Sequence, residues 1–202
     1  MTTEEDNRIV ESDALRTLSN VHMPDERQAG FVRINKLTGQ HYPFALKDFH
    51  EDIKQYTLSD SVPIDIRIHF ETAKNVYLYS WHVYRFGMVA KMQAIASLEF
   101  ALRTKAEKEH IKRITPKGKR TRKTEKASLD DLLDLAADKG WISDSDFLHL
   151  FIETPKDYVE VLKKTLPSLR NTLAHGSMML LPPVQALHTF AICQTIINRL
   201  FA

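Results

Sequence analysis

The sequence predicts an all-α fold, an antiparallel bundle of four to five helices, and three observations carry that expectation. From Asp65 onward, Ile66, Phe70, Ala73, Tyr77, Trp81 and Tyr84 recur at steps of three and four, the period of an amphipathic helix. Residues 87–104, "GMVAKMQAIASLEFALRT", are apolar on most sides, as suits a helix at the centre of a bundle. Ser128, Pro155, Gly140 and Gly176 then stand where helices start and stop.

Composition sets the outer limits. A chain of 202 residues that is 43% hydrophobic and 27% charged can bury one full core. Its one cysteine, Cys193, excludes an internal disulfide, and its place in "TFAICQTIINRLF" marks it as a buried thiol acting as a small hydrophobe. The start "MTTEEDNRIV" is acidic where a secretory signal would be basic and then apolar, and no stretch approaches the length of a membrane span. A cytoplasmic protein with no membrane association is the expectation. The net charge of +2 is uneven: residues 103–126 carry a surplus of +8, which leaves the other 178 residues at −6.

Residues 1–61 are expected to form an N-terminal extension, polar and aperiodic up to about residue 30, loosely ordered or with one short helix near "SDALRTL". In "FVRINKLTGQHYPF" two short runs flank Thr38-Gly39, which suits a small β-hairpin. The helical domain spans 62–202. Within it, the segment at about 105–127 lacks an apolar period and contains Pro116 and Gly118, so a mobile basic loop is expected. Ser128 caps "LDDLLDLAADKGW", a short helix covers about 145–152, and Pro155 opens a helix with the stripe Val159, Leu162, Leu166, Leu169 and Leu173. Pro167 interrupts that stripe. Lacking an N–H, it leaves the Lys163 carbonyl without its usual partner and predicts a kink just before Arg170. Pro182-Pro183 open the last helix, whose core face is Leu187, Phe190, Cys193, Ile197 and Leu200.

The stretch "LPSLRNTLAHGSMML" places Arg170, Asn171 and His175 on the last turns of the Pro167 helix. Residues four apart on a helix are offset by about 40° and residues five apart by about 140°. Asn171 therefore lies beneath His175, and the long Arg170 side chain can still converge where the last turn opens at Gly176. A guanidinium holds phosphate oxygens through paired hydrogen bonds, and an imidazole exchanges protons near neutrality. The same residues also suit an ordinary helix end, because the macrodipole favours Arg and His in the last turn.

"LRNTLAHG", between a proline-containing amphipathic helix and a final apolar helix, resembles the signature of the HEPN superfamily, an arginine and a histidine separated by a short spacer, here residues 171–174. "SLEFALR" is similar to the helix these domains carry ahead of the motif. The resemblance covers about residues 62–202. It implies a helical bundle that cleaves RNA as a homodimer, with two Arg/His pairs facing one another across a shared cleft. His175 would then be the general base or acid, Arg170 the phosphate-binding group, and Asn171 the residue that orients His175 or the RNA. The implied chemistry is attack of a ribose 2′-hydroxyl on its neighbouring phosphate, with no metal or cofactor. It suits a toxin or phage-defence component with an antitoxin or regulatory partner on a separate chain. Many such domains are catalytically inactive dimerisation or RNA-binding modules, which is the alternative.

Glu99 shares a helix face with Met88, Met92 and Ile95, where an acid is costly unless paired. Arg103, one turn on, is its local partner; a reach across the bundle to orient Arg170 or His175 is the functional one. Lys117, Lys119, Arg120, Arg122 and Lys123 of the basic loop are candidate RNA phosphate contacts. None of the nine histidines has a recognised metal-ligand spacing, and Gly118-Lys119 lacks the upstream glycine and the hydroxyl residue of a phosphate-binding loop, so neither a metal site nor nucleotide hydrolysis is expected.

Overall fold

The computed structural model describes residues 13–35, 37–115, 120–151, 156–175 and 180–202, and it is mostly helical. Expectations placed on Pro116, Lys117, Gly118, Lys119, Pro155 and Gly176 lie outside the described residues.

The expected hairpin is present. β1 (Val32–Ile34) pairs antiparallel with β2 (His41–Pro43), Arg33 opposite Tyr42, and Gly39 turns the chain at a φ of +70° that favours glycine. A helix that the sequence did not signal follows, α1 (Leu46–Lys54). Its Asp48 carboxylate accepts from the Ala45 N–H at 2.9 Å, and it buries Phe49 and Ile53. Two apolar residues one turn apart are too few to show a period. Phe49 and Ile53 join the same core as the helices after residue 62, so the boundary drawn at 61 cuts through one packed unit.

α2 (Ile64–Tyr79) buries Ile66, Phe70, Ala73 and Tyr77 as their spacing predicts, but stops before Trp81 and Tyr84. The cause is Asp25. Its N–H donates to the Trp81 carbonyl (2.9 Å), and its carboxylate accepts from the Tyr84 N–H (3.0 Å), which holds residues 80–85 as turns. Arg27 bonds both Asp25 (2.8 Å) and Asp13 (2.9 Å), and Arg85 bonds Asp13 (2.7 Å). Residues 13–30 are thus tied down as turns and a 3-10 turn (Glu26–Gly30), and the described part of "SDALRTL" is not helical.

α3 (Phe86–Lys108) is the central helix, and its Ala90, Ala94, Ile95, Leu98, Ala101 and Leu102 are fully buried. It ends in a left-handed cap at His110, where the Ile111 N–H reaches back to the Ala106 carbonyl at 2.9 Å. The basic segment then departs from the expected mobile loop. β3 (Arg113–Ile114) pairs antiparallel with β4 (Arg122–Lys123), and a 3-10 turn (Thr124–Lys126) follows. Ile114 and Thr124 are buried, and the Thr124 hydroxyl donates to the Ile111 carbonyl at 2.5 Å. A few buried side chains, with no repeat, hold its described residues against the bundle.

α4 (Leu129–Asp138) begins with a Ser128/Asp131 capping box and ends before Gly140 at φ +66°. A 3-10 turn (Asp144–Leu150) replaces the short helix expected there; its Asp144 carboxylate accepts from the Val159 N–H at 2.8 Å, capping α5 (Tyr158–Ala174). α5 continues through Pro167 as one element and buries Val159, Leu162 and Leu166. α6 (Ala186–Leu200) follows a 3-10 turn at Pro183–Gln185 and buries Phe190, Cys193, Ile197 and Leu200. Burial pushes the Cys193 thiol up, in keeping with an inert hydrophobe. α3 packs against α2, α4, α5 and α6, and α4 packs on α5. At Gly87 a Cβ would lie 2.9 Å from the Pro183 Cα, so glycine permits the close approach of α3 to the turn before α6.

Asp25 supplies the test of this frame. Burial by itself would raise its carboxyl, but bonds from the Arg27 side chain, the Tyr84 N–H and the Arg27 N–H hold it below the ordinary carboxylate value. A depressed folded-state pKa stabilises the fold above the unfolded-state pKa, and that stabilisation is lost as pH falls through the folded one. Urea unfolding should show Asp25→Asn about 2 kcal/mol less stable than wild type at neutral pH, with the gap closing below about pH 4. A gap that stays constant with pH would exclude the ionised carboxylate as the cause.

Candidate functional site

Arg170 and Asn171 stand where the last turn of α5 begins, and His175 forms its C-cap, where its N–H donates to the Asn171 carbonyl at 3.0 Å. All three are exposed, because the stripe that buries Val159, Leu162 and Leu166 turns the other side of the helix to solvent. Arg170 Nε lies 3.8 Å from Glu99 Oε2, and Arg170 Nη1 donates to Asn171 Oδ1 at 3.4 Å. A cavity of about 190 Å³ opens here, lined by Glu99, Arg103, Ser128, Asp130, Pro167, Arg170 and Asn171 among others. The structure thus brings together Glu99, Arg170 and Asn171. His175 is one turn further along and is not among the walls of this cavity.

Glu99 meets two arginines. Oε1 accepts from Arg103 Nη2 at 2.5 Å, the local pair one helical turn apart, while Oε2 faces Arg170 across the bundle. Its side chain is 17% exposed, against 44% for Arg170, so the carboxylate is largely withdrawn and the cation largely offered. Arg103 does more than neutralise Glu99. Its Nη1 donates to the carbonyls of Thr124 (2.8 Å) and Glu125 (2.9 Å), and its Nη2 also donates to that of Ala127 (2.6 Å). The segment leading from β4 into α4 is thereby bound to α3, and its Ser128–Asp130 end forms one wall of the cavity. The sequence names Arg103 only as a partner of Glu99. Ser128 reads only as a cap, and no local pattern shows that it faces Arg170.

The basic residues divide into different roles. Arg120 is exposed. Lys123 is exposed and lies 3.6 Å from Glu125. Arg122 is already engaged: its Nη1 sits 3.1 Å from Asp131 Oδ2, a fully buried carboxylate at the start of α4. Arg122 therefore fastens the hairpin to the bundle rather than waiting for a phosphate.

Among the described residues, no group of His, Cys, Asp or Glu side chains is placed to hold a metal ion, and no helix is long and apolar enough to cross a membrane. No family model, curated protein or solved structure matches the chain.

The division of the basic residues can be measured. Arg122→Ala takes one cationic donor from the buried Asp131 carboxylate and should cost about 2 kcal/mol of unfolding free energy. Arg120→Ala should change it by less than about 0.5 kcal/mol. Equal effects in chemical denaturation would remove the distinction.

Proposed function

We propose that this chain is a metal-independent endoribonuclease of the HEPN type, acting as a homodimer in a toxin–antitoxin or phage-defence setting and answering to a neutralising or regulatory partner on a separate chain. The observation that carries this reading is the exposed Arg170 guanidinium, aimed by Glu99 and Asn171 at one edge of a cavity, with an exposed His175 one turn away on the same helix end. The basic hairpin supports it, since Arg103 binds the hairpin's return segment to the helix that carries Glu99.

In the reaction, His175 takes the proton of a ribose 2′-hydroxyl as its oxygen attacks the adjacent phosphorus. The bond to the 5′-oxygen breaks, a cyclic phosphate remains on one fragment, and an imidazolium returns a proton to the departing oxygen. Arg170 binds the phosphate oxygens and stabilises the charge that builds on them. Glu99 positions Arg170, and Asn171 orients the RNA or His175. Arg120 and Lys123 hold the RNA backbone without reading its bases.

A second reading, an inactive dimerisation or RNA-binding module, is favoured by one observation: Arg170 is already engaged within the chain, and His175 stands outside the Arg170 cavity.

The deciding experiment is incubation of the purified chain with mixed RNA in EDTA. Wild type should cleave it, and His175→Ala should lose at least about a hundredfold in rate. No cleavage by wild type supports the module, and equal cleavage by both proteins indicates a contaminant. Among active proteins, Glu99→Gln should cleave about tenfold more slowly at equal folded stability; unchanged cleavage would remove Glu99 from the site.

A further inference from the structure

On another side of α5, a groove of about 590 Å³ runs between α3, α5 and α6. Lys91, Tyr158 and His188 supply polar groups to it, and Val161, Leu169 and Ile192 supply apolar wall. Its volume falls within the range of small-molecule sites, which combine apolar walls with a few convergent polar groups.

Lys91 is the unusual member. It lies on the buried side of the central helix, 7% exposed, where a methionine or leucine would pack without an electrostatic penalty. The other lysines held against the bundle are paired: Lys74 with Glu71 at 2.7 Å, and Lys163 with Asp134 at 2.8 Å and Glu160 at 2.7 Å. Lys91 has no hydrogen bond or ion pair with any described residue, and no carboxylate lines the groove. Burial pulls its ammonium below the ordinary lysine value, and partial desolvation together with the Lys91 charge does the same to the imidazole of His188, a residue that stays exposed. Two nitrogen groups thus share a groove that contains no acid.

We propose that this groove binds an apolar monocarboxylate, whose carboxylate pairs with the Lys91 ammonium and accepts a hydrogen bond from His188 while its hydrocarbon body lies along Val161, Leu169 and Ile192. A single negative charge is the match for one compact ammonium. A phosphate dianion calls for the bidentate donors of arginine, and none lines the groove. The apolar walls account for the rest of the ligand, since burying hydrocarbon is the main favourable term such a surface offers. The site is separate from the Arg170 cavity and does not depend on RNA cleavage.

Calorimetric titration with decanoate and with decanol, which share a chain and differ in the charged head, tests this on the intact protein. Decanoate should bind one per chain and about tenfold more tightly than decanol. Lys91→Met, which keeps the buried stem at similar volume and removes only the ammonium at the groove, should melt close to wild type, lose about tenfold in decanoate affinity and leave decanol unchanged. Equal binding of the two ligands by wild type, or decanoate affinity indifferent to Lys91→Met, would overturn the assignment. Failure of decanoate to bind, with a concentration-dependent dimer that Val161→Glu dissociates, would also overturn it and give the groove to a second copy of the chain.

Discussion

The surroundings of Arg170 depend on the Arg103 guanidinium. It reaches from α3 to three points of the chain after β4, the carbonyls of Thr124, Glu125 and Ala127, and keeps one N–H for Glu99. Three carbonyls turned into one cation would otherwise need water or strand partners, and a cation so placed would otherwise be costly to withdraw from solvent. The consequence is positional. Arg103 sets where α4 begins, α4 packs on α5, and α5 carries Arg170.

The same logic of charge replacing periodicity recurs at the N-terminal side. Asp25 ends α2 and shapes the link to α3 through one acceptor and one donor contact, and Arg27 and Arg85 then draw Asp13 onto it. Asp131 does the equivalent for β4, accepting from Ser128 and facing Arg122. Asp25 and Asp131 are almost fully withdrawn from solvent. A buried acid of this kind is tolerated because two or more donors meet it, and it orders segments that have too few apolar residues to order themselves.

That division explains what the sequence made legible. Ile66, Phe70, Ala73 and Tyr77, or Phe190, Cys193 and Ile197, declare their helices because burial repeats along them. Trp81 and Tyr84 continue the same arithmetic and mislead, since their conformation is decided by Asp25, more than fifty positions away. The hairpin of Arg113 and Lys123 was hidden for the opposite reason: its order rests on Ile114, Thr124 and the Arg103 bonds, which have no period. At the candidate site, the Glu99–Arg103 pair follows from helix geometry alone. The approach of Glu99 to Arg170 could be framed from the cost of an acid on an apolar face, but its realisation needed the packing of α3 on α5. Lys91 gave no signal, because a lysine on a mostly apolar helix looks like its solvent edge until the helix is seen to be central.

The pairing of Glu99 with Arg170 bears on whether the cation is open to a ligand. At 3.8 Å, with Arg170 nearly half exposed, the pair is of the solvent-screened kind, worth about 0–1 kcal/mol. A phosphate that accepts two charge-assisted hydrogen bonds offers the guanidinium more than that, about 1.5–3 kcal/mol for each bond to a charged group. Glu99 can therefore aim Arg170 without sequestering it. Arg103 meets the same carboxylate at 2.5 Å while its remaining bonds go to backbone carbonyls, so the stronger claim on Glu99 is the structural one. A carboxylate held firmly on one oxygen and lightly on the other is anchored by Arg103 and free to guide Arg170. Reversing those strengths would bury the guanidinium and leave no cation at the end of α5 for an anion to find.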